Sequence, residues 1–283
     1  MKRVVILILV VFSLSNLLFG KTLTMVIMSS KDPKKEGPKY EVLADYLKNS
    51  IPEISNIKLR IAKDYPDAVK LFQSGEVDGM FSGSFVASIF IKKGLAVPLV
   101  RPVLKNGIST YKAIIITQKG NEYNGIEDLA GKKVAYCKFA SSGEIFGRAL
   151  TNGQDPETIF SPVIVKSHGI GINAVSSGQA DFAIIKNLVF DNNSPDNIIV
   201  VGGDSSENPN MTLIVTNEIS KSFGEQILKT LLKIEYDNTE IANNVKKAFN
   251  IKGFTKTSEA DFAHTFNNLK KAKIDPVSFN FKF

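Results

Sequence analysis

Phe72-Gln73-Ser74-Gly75-Glu76-Val77-Asp78 and Val175-Ser176-Ser177-Gly178-Gln179-Ala180-Asp181 are two versions of one phrase. Each reads as the end of a helix, a glycine stop, and an aspartate opening a short apolar strand. A shared glycine is weak by itself, because glycine ends many helices. A match at both Gly and Asp in the same context predicts two similar lobes.

Outward from these anchors the chain alternates strand and helix patterns. Strand patterns run over Thr22 to Met28, Ile57 to Ala62, Val77 to Phe81, Ala113 to Thr117, Lys133 to Cys137, Ala180 to Ile185, Ile198 to Val201 and Met211 to Thr216. They are short, apolar and rich in β-branched residues. Helical spacing of apolar residues marks Tyr40 to Ile51, Tyr65 to Ser74, Phe85 to Lys93, Glu144 to Leu150 and Ile170 to Ser177. Beyond Met211 the expectation is mostly helix: Phe223 to Ile234, Thr239 to Phe249 and Glu259 to Lys270. The alternation predicts an α/β protein with parallel sheets. Such sheets bind ligands beyond the carboxyl ends of their strands, so two facing lobes would hold a ligand in the cleft between them.

The first 20 residues are set apart. Lys2 and Arg3 precede the unbroken apolar run Val4 to Phe12, and small, turn-prone residues lead to Gly20. That order reads as a cleaved secretory signal, and the run is too short to cross a bilayer. With no cysteine there to carry a lipid, the expected location is the periplasm. Of 35 basic residues against 28 acidic ones, the signal removes two, which takes the formal charge from +7 to +5. The lysines are dispersed as on solvated helix faces, and no basic block with interleaved aromatics points to nucleic acid. A single cysteine excludes an internal disulfide. Two histidines and one cysteine do not suit a structural zinc site, so neither metal nor cofactor is expected.

The sharpest chemical feature is Phe139-Ala140-Ser141-Ser142-Gly143-Glu144, between the strand ending at Cys137 and the helix starting at Glu144. The first N–H groups of a helix lack internal partners and carry partial positive charge, which makes an anion site. Ser141 and Ser142 would add hydroxyl donors, and Gly143 would let an oxyanion approach the backbone. Taken alone, a serine here reads first as an ordinary N-cap. Lys166-Ser167-His168 offers a second strand end, with an imidazole able to donate to an anionic oxygen.

In order along the chain, several stretches resemble the phosphate, phosphite and phosphonate-binding proteins of ABC transporters, the PhnD-like family. They are Ala62-Lys63-Asp64-Tyr65 with Gly75 to Asp78, Tyr111 to Thr117 followed by Glu127 to Lys132, Ser141-Ser142-Gly143, and Ser167-His168 with Ala174 to Asp181. The resemblance implies a type II periplasmic binding fold: two Rossmann-like lobes, a two-strand hinge, and C-terminal helices packed on lobe one. It divides the chain into the signal at 1–20, lobe one at 21–108, lobe two at 109–207, and a return to lobe one at 208–283. It implies that Ser141, Ser142 and His168 hold phosphoryl oxygens while Tyr65 and Tyr111 close over the ligand. A monomer that delivers a small oxyanion to a permease is expected, with no catalysis.

The chain departs from the family pattern. Ala140 replaces the first serine of the anion loop. The two positions at which relatives pair an amine with acids are occupied by Leu188 and Asn208. An ammonium there would be buried unpaired, so aminoethylphosphonate is not the expected ligand. Three other readings stay open. A sensor kinase could replace the permease. Cys137 could bind arsenite, although a strand-end cysteine is more often a small packing group. A serine hydrolase could use Ser141 or Ser142 with His168 and Asp181, but the nucleophile-elbow spacing is missing.

Overall fold

The computed structural model describes residues 20–28, 33–192 and 194–281. The export signal read at residues 1–20 lies, apart from Gly20, outside them. Thirteen strands form among the described residues: β1 Lys21–Met28, β2 Ile54–Ala62, β3 Gly79–Ser82, β4 Val97–Leu104, β5 Thr110–Tyr111, β6 Ala113–Gln118, β7 Lys133–Tyr136, β8 Ser161–Ile164, β9 Phe182–Lys186, β10 Ile198–Gly203, β11 Asn208–Pro209, β12 Thr212–Val215 and β13 Ile251–Lys256. They build a six-stranded sheet in the order β13-β4-β12-β3-β1-β2, a five-stranded sheet in the order β10-β6-β9-β7-β8, and a two-stranded ribbon of β11 and β5. The ribbon joins the two lobes.

Neither large sheet is purely parallel, which corrects the expectation drawn from strand–helix alternation. β1, β2 and β3 run parallel, as do β7, β8 and β9. β12 is antiparallel to β3, and β6 to β9. The reason is topological. The strands β1 to β4 and β7 to β10 run toward the hinge side, whereas β6 and β12 leave the hinge and must run away from it, and β13 runs with β12. The C-terminal region is also less helical than expected, because β13 adds an edge strand between the helices Glu240–Phe249 and Ala263–Lys271.

The repeated phrase has one structural meaning in both lobes. Gly75 and Gly178 each adopt φ 74°, the left-handed helix stop. The backbone N–H of Asp78 donates to Thr24 O at 2.7 Å while Thr24 N–H donates back to the Asp78 carboxylate at 2.6 Å. Asp181 repeats the ring with Lys133, at 2.8 Å both ways. Each aspartate thus pins the start of its strand to a neighbouring strand.

Lobe two shows why its strands read as unbroken apolar runs. Ile114, Ile116, Ala183 and Ile185 face one core, and Ala113, Ile115, Phe182 and Ile184 the other. Alternate residues meet helices on opposite faces, so both sets must be apolar. In lobe one the helix Glu240–Phe249 packs on the helix Pro33–Ser50. The last helix, Ala263–Lys271, touches both the helix Ser84–Lys92 of lobe one and the helix Ser142–Leu150 of lobe two. Leu269 of that helix and its N-cap Phe262 share a core cluster with Ile145 and Ala140 of lobe two and with Phe85 and Ile89 of lobe one. The lobes are therefore in direct apolar contact.

Candidate functional site

Three parallel strands deliver polar groups to the same edge of lobe two. β7 runs into the serine loop, β8 into the helix His168–Ser176, and β9 ends at Lys186. β6 runs the other way, with Ala113 paired to Lys186, so Tyr111 lies just before that edge. Lobe one brings Tyr65 after β2, and Ser84 at the start of the helix Ser84–Lys92 after β3.

The serine loop divides its labour. Ser141 is the N-cap of the helix Ser142–Leu150 and accepts from Glu144 N–H at 3.2 Å, while its hydroxyl proton goes to the Cys137 carbonyl. Its side chain is thus committed to capping, the plainer of the two readings of that serine. Ser142 is 3% exposed and lies 3.5 Å from Nε2 of His168. Gly143 faces the sheet: a Cβ there would stand 2.8 Å from Ile184 O and 3.1 Å from Tyr136 Cβ. The glycine lets the helix sit against the sheet, a packing reason where the sequence suggested room for an anion. Phe139 and Ala140 both have positive φ, 72° and 52°, a costly conformation for residues with side chains. Glu144 holds the turn by accepting from Ala140 N–H at 2.9 Å.

Opposite, Ser84 donates to the Pro209 carbonyl at 2.5 Å and lies 3.0 Å from the Tyr111 hydroxyl. Burial raises the Tyr111 phenol far above its usual range, opposed by hydrogen bonding to Ser84 and Ser142. Burial likewise pushes Tyr65 up to about 12 against hydrogen bonds from Ser82 and Gly83. Both phenols are therefore donors at neutral pH. Tyr65 also meets Phe139 edge-on across the lobes, with ring centroids 6.1 Å apart. His168 is held down to about 3 by burial and by the nearby Lys186 charge. It is neutral at physiological pH, and its Nδ1 is buried with no hydrogen-bond partner.

The loop, the imidazole, the hinge tyrosine and lobe one thus meet at one place. Sequence reasoning missed Ser84 and Lys186 there. Lys186 Nζ stands 3.9 Å over the Tyr111 ring, and burial lowers its pKa to about 8. One signal was available: a lone cation closing the apolar run Phe182 to Ile185 at the carboxyl end of a strand. Leu188 is 9% exposed in the short helix Asn187–Asp191. Asn208 is fully buried, accepting from Thr265 at 2.9 Å and donating to Asp204 at 3.4 Å. Asp204 also accepts from His264 at 2.8 Å and from Asn268 at 2.7 Å, which ties lobe two to the last helix.

The catalytic alternative loses its third member. Asp181 opens β9 and Lys186 closes it, so roughly 16 Å of strand separates that carboxylate from the cleft edge, at about 3.3 Å per residue. Burial pushes the Cys137 thiol up to about 11, so it stays protonated. Among the described residues no cluster of metal-ligating side chains is present, and no helix is long and apolar enough to cross a membrane.

Two lobes joined by a two-strand ribbon, with polar side chains meeting where the lobes touch, are the architecture of a type II periplasmic binding protein. The chain belongs to the family of periplasmic substrate-binding proteins of phosphonate ABC transporters, which it matches over residues 25–262. Members of this family are binding proteins, not enzymes. Among solved structures, XAC2383 from Xanthomonas citri bound to chloride ion is 16% identical, with a TM-score of 0.74 over 89% of this chain and 97% of that one. PhnD1 from Prochlorococcus marinus in complex with methylphosphonate is 14% identical, with a TM-score of 0.71 over 89% and 98%. A binding protein component of a Pseudomonas aeruginosa ABC phosphonate transporter is 17% identical, with a TM-score of 0.69 over 89% and 87%. These likenesses show the fold.

Proposed function

We propose that this protein captures a small phosphorus oxyanion, namely phosphate, phosphite or an amine-free phosphonate, in the cleft and delivers it to an ABC transporter permease from the periplasm. The observation that carries the reading is the meeting of Ser142, His168 and Tyr111, from three separate chain segments, at the cleft edge of lobe two. The first N–H groups of the helix Ser142–Leu150 and the Ser142 hydroxyl supply donors to phosphoryl oxygens. Tyr65 and Tyr111 close over the ligand with phenols kept protonated by burial. Ser141 serves as the helix cap, and Gly143 lets the helix seat on the sheet. A relative bound to methylphosphonate supports the ligand class.

Ligand that binds lobe two gains the contacts of Tyr65 and Ser84 only when lobe one is against it. Binding therefore shifts the population toward the closed form that a permease recognises. Calorimetric titration of the chain from Lys21 with phosphate, phosphite and methylphosphonate tests this. Saturable binding of at least one is expected, and it should be lost in Ser142→Ala combined with His168→Ala. No binding to any of the three refutes the reading.

A further inference from the structure

We propose that Lys186 is a specificity-determining ligand residue: its ammonium, beside Tyr111 at the cleft edge and without a carboxylate partner among the described residues, selects a doubly charged anion and rejects one bearing an amine. The inference rests on the oxyanion-binding role proposed above and names the charge its ligand must carry.

The side chain is placed by its neighbours. Nζ is 3.9 Å from the centroid of the Tyr111 ring, whose hydroxyl lies 3.0 Å from Ser84. Its one hydrogen-bond acceptor is Asn210 Oδ1 at 3.5 Å, the outer limit of such a bond. Cys137 and His168 are close enough for the charge to act on them, and burial keeps both neutral. Other lysines of the chain that pair with acids do so at the surface, Lys21 with Glu218 and Lys92 with Glu259 among them. Lys186 has only a dipole and a ring face.

A cation taken out of water without a counter-charge is costly, and a chain that retains one in a binding cleft gains when an anion arrives. The ring face offsets part of the cost, because a cation over tyrosine is attracted to its π electrons. The remainder is available to the ligand. His168 Nδ1, buried and unpartnered on the same edge, is a second group left without a partner by the protein itself. The two together favour a compact, strongly charged oxyanion. An aminoalkylphosphonate would bring its ammonium toward a like charge. The absence of acids at Leu188 and Asn208 is thereby reinforced by direct repulsion.

The test compares phosphite, a dianion, with hypophosphite, a monoanion of similar shape, and methylphosphonate with aminoethylphosphonate, by calorimetry at pH 7.5 in low salt. Net of desolvation, a charge-assisted contact between an ammonium and an anionic oxygen corresponds to roughly 10- to 100-fold in affinity. Lys186→Met is therefore expected to weaken phosphite and methylphosphonate by that factor and hypophosphite by clearly less. Lys186→Glu should reverse the preference between methylphosphonate and aminoethylphosphonate. Lys186→Gln, which keeps a polar tip, guards against a packing effect, and circular dichroism with a thermal melt verifies folding. Phosphite and methylphosphonate affinities unchanged in folded Lys186→Met and Lys186→Gln overturn the role of Lys186 and leave the oxyanion reading standing. A wild-type protein that binds none of these anions overturns both.

Discussion

Replacing Lys186 by methionine is expected to stabilise the unliganded protein at neutral pH, even as it weakens anion binding. Burial lowers this lysine from 10.5 to about 8. Each unit of such a shift corresponds to 1.36 kcal/mol, so holding the charged form in the fold costs roughly 3 kcal/mol relative to a solvated lysine. The side chain keeps some solvent access, which reduces this to about 2 kcal/mol. Methionine retains the apolar stem and the packing on Tyr111 while removing the charge. For a chain of this size, about 2 kcal/mol raises Tm by roughly 4–8 °C. The pH dependence identifies the cause. Between about pH 8 and 10.5 the unfolded wild-type chain binds a proton that the folded chain has released, so its stability rises with pH across that window. The methionine variant has no such rise, and the gap between the two proteins should narrow at pH 10. Urea denaturation of both proteins at pH 7 and pH 10, without ligand, measures it. A variant equal to or less stable than wild type at pH 7, with a gap independent of pH, would refute the account of Lys186 as an uncompensated buried cation.

His168→Asn should weaken methylphosphonate about tenfold or more, read by calorimetry, since a hydrogen bond to a charged group contributes roughly 1.5–3 kcal/mol. The same variant should soften acid destabilisation. The unfolded histidine takes up its proton near pH 6.5 and the folded one near 3, so stability from this group is lost as pH falls through that interval. Asp181→Ala should cost about 1.5–3 kcal/mol in urea denaturation through its bond to Lys133 N–H, with anion affinity unchanged within twofold. Gly143→Ala should cost about 1–3 kcal/mol, because the new Cβ meets a backbone carbonyl that cannot move aside cheaply. A Gly143→Ala protein as stable as wild type would mean that the helix start is not pressed against β9.

Much of the fold was readable because it depends on local pattern. Apolar strands buried on both faces, glycine stops, and the repeated Gly-to-Asp phrase are written in consecutive residues, and the phrase proved to be the same aspartate clasp in both lobes. Strand direction was not readable. β4, with Pro98 and Pro102, does not look like an inner strand, and β13, broken by Lys252, Gly253 and Lys256, has no apolar run to stand out in a helical tail. Whether β6 and β12 run with or against their neighbours depends on where the chain crosses the hinge, which no window of sequence records.

At the site, the chemistry at hand was legible in short stretches of residues: a hydroxyl-rich turn before a helix, an imidazole at a second strand end, two tyrosines, and a family pattern linking them. The tertiary structure decided the division of roles. It made Ser141 a cap and left the Ser142 hydroxyl beside His168, because the first hydroxyl of the turn reaches both the Cys137 carbonyl and Glu144 N–H. It turned Gly143 toward the sheet, and it placed Asp181 and Lys186 at opposite ends of one strand. It alone exposed the significance of Lys186. The energy of a charge depends on what surrounds it in space, and the residues that deny it a counter-ion, Tyr111, Cys137, His168 and Asn210, come from four separate stretches of the chain.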